Sequence, residues 1–355
     1  MIPSFDKIHL KFKLNNTNYS HEELKEVAYS LVKEGVYYER TIGNFLLDWL
    51  DDKDYIVVNT SGSTGQPKVM HLSKQVMVNS AIATGNYLQL EPGQTALHCL
   101  PTNFIAGKMM LVRAMILGLE IDMVEPTSQP IFDYDKTYHF AAMLPMQLKS
   151  TLNYLQNVKV MIVGGSLVSP QLIEMTKNIQ TKVFATYGMT ETATHIALKP
   201  INQTKISTYF KALPGVSLSQ DDRGCLVIDA PAISEVKVVT NDIVKLHSET
   251  EFQWLGRFDN VINSGGIKMF PEQIEEKLRG KINQQFFIAS EPDEKLGEQL
   301  VLIIESDNNT LSPDVFGGLE KFETPKAIYA VQKFKMTPTG KIKRNETLKL
   351  ALANK

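Results

Sequence analysis

The stretch TSGSTGQPK at 60–68 sets four hydroxyl residues, Thr60, Ser61, Ser63 and Thr64, around Gly62 and Gly65 and ends on Lys68. Glycine lets a backbone approach an anion closely, and exposed N–H and hydroxyl groups bind phosphate oxygens. Lys68 adds a positive charge. The spacing is not that of the common nucleotide loop, Gly-x-x-x-x-Gly-Lys followed by Ser or Thr. Here the glycines are too close, and Gln66 and Pro67 separate Gly65 from Lys68. The stretch reads as a phosphate grip of another kind, or as a polar strand-to-helix turn.

Four further stretches carry residues of chemical use. Gly164, Gly165 and Ser166 follow an apolar run and either offer a flat backbone surface to a planar ring or make a tight turn. In TYGMTET (186–192), Tyr187 suits ring stacking, Thr190 suits phosphate, and Glu191 suits Mg2+ beside phosphates. The alternative there is a helix start capped by Thr190 or Thr192. Asp242 after a strand, with Arg257 and Asp259 following, suits ribose hydroxyls or an ordinary surface pair. In PTGKIKR (338–344) a turn signal presents Lys341 on a loop, unless the run is a solvated basic tail.

The elements that must position these residues alternate. Ser20 and Glu23 spell a capping box before a helix that stops near Gly35, and a second helix spans about 42–50. The spacing then predicts a buried strand at 55–60, the glycine loop and a helix over about 73–87. Strands follow at 95–101, 120–125, 139–144, 158–165 and 182–188, with helices at 104–118 and from about 169. Such alternation predicts layered α/β sheets, largely parallel. From about 195 the pattern turns to β, giving a small β-rich subdomain at about 200–256 within an N-terminal domain of 1–256. A small α+β domain is expected over 257–355.

Composition bounds the rest. With 355 residues, 43% hydrophobic and 21% charged, the chain can build a sizeable globular core. A net charge of −2 argues against a nucleic-acid partner. The two cysteines, Cys99 and Cys225, lie in apolar stretches and read as buried thiols. No uninterrupted apolar run predicts a membrane span and no secretory leader is read at the start, so a cytoplasmic protein is expected. Monomer and homodimer are not distinguished.

Together and in this order, the five motifs resemble those of the adenylate-forming superfamily, which includes acyl- and aryl-CoA synthetases and peptide-synthetase adenylation domains. The resemblance covers roughly 55–345, most of the chain. It implies two half-reactions at one site. A carboxylic acid attacks the α-phosphate of ATP, giving acyl-AMP and pyrophosphate, and the thiol of coenzyme A then attacks the acyl carbon. On this reading Lys341 bridges carboxylate and α-phosphate, Thr190 lies beside the phosphates, and Glu191 holds Mg2+. Thr60, Ser61, Gly62, Ser63, Thr64, Gly65 and Lys68 surround the β- and γ-phosphates. Gly164, Gly165, Ser166, Tyr187 and Gly188 border the adenine, and Asp242 and Arg257 take the ribose. Asp259 is the hinge of a mobile C-terminal domain, whose Gly265, Gly266 and Lys268 approach the thiol channel.

Two departures accompany the resemblance. Typical members carry a much longer leading portion, whereas here 59 residues precede the loop, so a leading subdomain is expected to be reduced. Asn241 stands where Gly is usual before Asp242, in a turn that Asn tolerates at positive φ. The overall pattern, with GMTETATHIALKPIN, is similar to the o-succinylbenzoate–CoA ligases of menaquinone biosynthesis in a short form. Such a dicarboxylate needs a cationic partner for its second carboxylate, which Lys108 or Arg113 would supply, with His195 lining the pocket. The alternatives are a ligase for another aryl or fatty acid, a carrier-protein-loading enzyme, a kinase-like NTPase, or a nucleotide-binding protein without catalysis.

Overall fold

The structure, a computed structural model, describes residues 3–60, 68–203, 208–336 and 342–353. A two-residue strand, β1 (Lys13–Leu14), precedes two helices, α1 (His21–Glu34) and α2 (Tyr37–Trp49). The capping box at the start of α1 is formed: Ser20 N donates to Glu23 Oε2 at 2.7 Å and Glu23 N to Ser20 Oγ at 3.3 Å. The two helices pack so closely that a Cβ on Gly43 would lie 2.6 Å from Ala28 O.

Next come β2 (Tyr55–Thr60), β3 (Lys68–Ser73) and α3 (Lys74–Leu88). The region expected to run from strand through glycine loop directly into helix is in fact a hairpin, with β3 pairing antiparallel to β2 from Tyr55↔Ser73 to Thr60↔Lys68. The expectation of a buried strand is also corrected. Ile56 and Val58 are buried whereas Val57 is 49% exposed, the alternation of a ribbon with one dry face. The α/β alternation continues through β4 (Thr95–His98), α4 (Ile105–Leu117), β5 (Glu120–Met123), β6 (Tyr138–Met143), α5 (Pro145–Thr151), β7 (Val158–Val163), α6 (Pro170–Thr176) and β8 (Lys182–Gly188).

The β-rich stretch contains β9 (His195–Pro200), β10 (Phe210–Ala212), β11 (Ser217–Gln220), β12 (Cys225–Asp229), β13 (Val238–Ser248) and β14 (Glu251–Arg257). Its strands are hydrogen-bonded into the same sheet as the parallel ones. Among the described residues that sheet has twelve strands, in the order β1-β5-β4-β6-β7-β8-β9-β10-β14-β13-β12-β11. Pairing is parallel as far as β7–β8 and antiparallel from β8–β9 onward. The candidate site lies at this change of direction.

A second sheet is built from β15 (Ile262–Ser264), β16 (Ile267–Met269), β17 (Phe286–Asp293), β18 (Gly297–Glu305) and β19 (Ala327–Val331), with α7 (Pro271–Leu278) and α8 (Arg344–Ala353). It has its own apolar clusters, one around Ile274, Leu278 and Leu302, the other around Phe287, Ile303 and Phe334. Contacts to the large sheet include polar ones, such as Gln273 Nε2 donating to Leu255 O at 2.9 Å. Among the described residues, no helix is long and apolar enough to cross a membrane. Cys99 and Cys225 are buried free thiols, and burial pushes the Cys99 thiol up to about 12.

Candidate active site

The ends of β7 and β8 stand side by side, with Val163 opposite Ala185. Gly164 follows immediately. A Cβ there would run into Thr186 Oγ1, so any larger residue would have to turn the Thr186 side chain aside. Gly165 has φ +83°, the left-handed conformation that glycine adopts without strain, and Ser166 is exposed beyond it. Tyr187 is next on β8. Its ring packs edge-on against Phe252 with centroids 5.0 Å apart and lies 5.8 Å from Phe210. The ring is therefore held by the large sheet itself.

The Tyr187 hydroxyl donates to Asp242 Oδ2 at 2.7 Å. Trp254 Nε1 donates to Asp242 Oδ1 at 3.1 Å, and Arg257 Nη1 lies 3.4 Å from the same oxygen. Burial, and then the Asp242 carboxylate, hold the Tyr187 phenol far above its ordinary range, so it stays a donor. Asp242 is a buried carboxylate held by two neutral donors and one cation, and its charge is kept at a fixed place.

Trp254 was not read from the sequence as a site residue. It lies three positions before Arg257, a spacing that regular alternation would place on opposite faces. The β13–β14 ladder shifts register between Ile243↔Gly256 and Val244↔Trp254, leaving Leu255 as an extra residue. That bulge brings Trp254 and Arg257 to one carboxylate. A second irregularity in β13 lies between Val239 and Ile243, opposite Cys225 to Val227. Asn241 sits in this strand without a left-handed φ, so the positive-φ turn expected for it is not present. Its side chain acts elsewhere: Nδ2 donates to Asp259 Oδ2, while Oδ1 accepts from Arg223 Nη1 at 3.1 Å. Arg223 also lies over the Phe258 ring, 5.2 Å from its centroid.

Beyond Gly188 the chain makes a tight turn, Thr190–Thr192. A Cβ on Gly188 would collide with Thr194 O and His195 Cα. Thr192 knots the turn, its Oγ1 accepting from Met189 N at 3.1 Å and lying 2.7 Å from Thr194 O. Ala193 is buried and adopts φ +60°, a conformation that L-residues rarely take. Glu191 projects from this turn into solvent.

Behind the turn lies a buried cation. Arg113 on α4 is 1% exposed. Its Nη2 donates to Thr194 Oγ1 at 3.3 Å and lies 3.5 Å from His195 Nδ1, and its Nη1 reaches Met110 Sδ at 3.9 Å. Its Nε has no partner among the described residues, and no carboxylate pairs with it there. Burial lowers the guanidinium to about 9. Burial, and then Arg113, drive the His195 imidazole well below its usual range, so it is neutral. Lys108 does not share this place. It lies over the Phe45 ring of α2 at 4.9 Å and is lowered by burial, with Asp48 opposing. One helix thus sends Arg113 toward β9 and Lys108 toward α2.

Of the remaining site candidates, Gly265 and Gly266 form the two-residue turn of the β15–β16 hairpin, with φ +59° and +81°. Lys268 is exposed on the adjoining strand. Thr60 and Lys68 are paired at the end of the β2–β3 hairpin where one strand leads on to the other. Ser61, Gly62, Ser63, Thr64 and Gly65 lie outside the described residues, as does Lys341.

Comparison with known proteins gives this geometry its context. Residues 16–228 match the model of a family described as AMP-binding enzyme. The chain belongs to the AMP-binding enzyme family. The enzyme is 36% identical to a solved structure, an acyl-CoA synthetase (AMP-forming)/AMP-acid ligase II-like protein from Dyadobacter fermentans. That match has a TM-score of 0.62 and covers 92% of this chain and 98% of the other. It is 26% identical to a 2-succinylbenzoate–CoA ligase of Listeria monocytogenes, over 90% of this chain and 74% of the relative. It also shares its fold with an o-succinylbenzoate coenzyme A synthetase from Bacillus subtilis in complex with ATP and magnesium, at 17% identity and a TM-score of 0.70, covering 93% and 82% of the two chains. The enzyme is an adenylate-forming acid–CoA ligase, a class that works with ATP, Mg2+ and coenzyme A. The residues present suit the metal. Among the described residues there is no cluster of three or more acidic, His or Cys side chains, and Glu191 offers one outward-facing carboxylate. One or two carboxylates plus substrate phosphates is the usual holding for Mg2+.

Proposed function

We propose that this enzyme is a 2-succinylbenzoate–CoA ligase. Arg113 carries that reading. A buried guanidinium with no carboxylate beside it is costly, and an incoming anion offsets the cost. It stands behind Gly188, and the register continues from Gly188↔His195 to Tyr187↔Ala197. Tyr187 in turn reaches Asp242. An acyl-adenylate laid along this line has its ribose hydroxyls at Asp242, its adenine beside Gly164, Gly165 and Tyr187, and the far end of its acid toward Arg113. A dicarboxylate meets that cation; a fatty or simple aryl acid leaves it unpaired.

In the first half-reaction a carboxylate oxygen of the succinyl arm bonds to the α-phosphorus of ATP, and the bond to the departing pyrophosphate breaks. Two anions must meet, so Lys341 neutralises charge between them. Mg2+ held at Glu191 would add its positive charge to the phosphates. Thr60 to Lys68 hold the β- and γ-phosphates until they leave. In the second half-reaction the coenzyme A sulfur attacks the acyl carbon, loses its proton, and AMP departs. Lys341 and the Gly265–Lys268 hairpin belong to the same C-terminal portion, so a turn about Asp259 would exchange one for the other at the acyl group.

The test is ATP–pyrophosphate exchange across a panel of acids. Exchange with 2-succinylbenzoate far above that with benzoate or a medium-chain acid is expected, with AMP as the nucleotide product. Strong exchange with the other acids and none with 2-succinylbenzoate overturns the assignment.

A further inference from the structure

The polar groups around Arg113 form one chain of hydrogen bonds. The Thr84 hydroxyl on α3 donates to Ser80 O at 3.0 Å. Its proton is thereby committed, and its oxygen is left to accept from His195 Nε2, 3.2 Å away. His195 is neutral, so with Nε2 protonated its Nδ1 carries a lone pair, and that nitrogen faces Arg113 Nη2 at 3.5 Å. The second N–H of Nη2 goes to Thr194 Oγ1 at 3.3 Å. A carbonyl of α3 thus fixes the imidazole tautomer, and the tautomer fixes which edge of the guanidinium is occupied. Nε is left over, buried and without a partner among the described residues. Ser80 Oγ is in the same condition, and it lies four residues from Thr84, on the same face of α3.

We propose that Thr84 and His195 are positioning residues which lock the Arg113 guanidinium with its Nε–H free, and so set the preference of the enzyme for an acid bearing a second carboxylate. The proposal rests on the assignment of Arg113 to that carboxylate. Without the relay the guanidinium turns to find other acceptors, and the second carboxylate meets a donor in the wrong direction. The mono-acid, which does not use Arg113, is indifferent to the relay.

The experiment compares kcat/KM for 2-succinylbenzoate with that for 3-benzoylpropionate, the same acid without the ring carboxylate, in the full-length enzyme. Thr84→Val keeps the shape and removes the acceptor; Thr84→Ser keeps both hydroxyl functions. Thr84→Val is expected to lower the ratio about three- to tenfold, through KM of the diacid, with KM for ATP unchanged and Thr84→Ser near wild type. His195→Leu should act in the same direction. Arg113→Met tells the two readings apart. If it leaves the ratio unchanged, Arg113 does not bind the second carboxylate, and both the assignment and the relay fall. If it collapses the ratio while Thr84→Val and His195→Leu leave it intact, or lower both acids equally, the relay alone is overturned.

Discussion

Tyr187 and Asp242 stand 55 residues apart in the chain, and the phenol of one donates to the carboxylate of the other at 2.7 Å. The bond ties β8, the last strand of the parallel run, to β13, four positions further along the sheet. It spans the antiparallel strands β9, β10 and β14, so the two halves of the proposed nucleotide site depend on the sheet remaining continuous.

Tyr187→Phe removes this bond and leaves the ring in its Phe210–Phe252 setting. Asp242 keeps Trp254 and Arg257 as partners. KM for ATP should rise about three- to tenfold, within the net worth of one hydrogen bond, with the preference among acids unchanged. Trp254→Phe should do the same. A Tyr187→Phe enzyme with altered acid preference and normal KM for ATP would contradict the division of the site drawn above.

Lys108→Ala gives the complementary result. The ammonium sits over Phe45 at 4.9 Å, on the α2 side of α4. Its loss should cost about 0.5–1 kcal/mol of stability, the worth of a cation–π contact. KM for the acid should stay within about twofold, while Arg113→Met weakens the diacid by about tenfold or more, as truncating one member of a buried charge pair does. Measured KM values for the two variants decide which cation of α4 faces substrate.

Gly164 to Ser166 and the turn after Tyr187 were legible because they sit where a strand ends, and strand ends in an α/β sheet are set by local apolar runs; Asp242, expected after a strand, lies inside β13 instead. What could not be read is what pairing decides. The hairpin partner of β2 was hidden because Lys68–Ser73 follows a glycine loop whose usual successor is a helix. Trp254 was hidden by a bulge, and bulges depend on the neighbouring strand. Arg113 and Lys108 were equivalent in the sequence, five positions apart on one apolar helix, and only their contacts in the fold, Arg113 with Thr194 and His195 and Lys108 with Phe45, separate them. Asn241, read as a tolerated substitute for glycine, instead bridges Arg223 to Asp259.

His98 makes stability depend on acid. Its ring is fully buried, with Nε2 bonded to Thr102 Oγ1 at 2.9 Å and Nδ1 without a partner among the described residues. Burial pulls it down to about 4. The folded chain therefore holds it neutral while the unfolded chain takes up a proton below about pH 6.5. The stability is complete above that pH and is lost progressively as pH falls from about 6.5 towards 4, by roughly 3 kcal/mol in all. Urea unfolding at several pH values should show wild type losing more stability than His98→Asn across that window. Parallel curves would mean that His98 titrates normally.

Glu275 and Arg344 offer the last test, because Arg344 follows Lys341 closely in the chain. The guanidinium is bidentate on the carboxylate, with N–O distances of 2.6 and 2.8 Å. Ile288 N donates to the same carboxylate at 2.9 Å, and Glu275 is buried on α7. Arg344→Met strands a buried carboxylate and should cost about 3–5 kcal/mol, while Arg344→Met with Glu275→Leu should recover much of it. Lys341 lies three residues before Arg344. Lys341→Ala should nearly abolish acyl-AMP formation and spare thioester formation from supplied acyl-AMP. The rescued double variant should show the same imbalance in milder form, since its fold is restored but the ion pair three residues after Lys341 is not. Equal loss of both half-reactions in Lys341→Ala would mean that one arrangement of the C-terminal portion serves both steps, and the proposed turn about Asp259 would have to be given up.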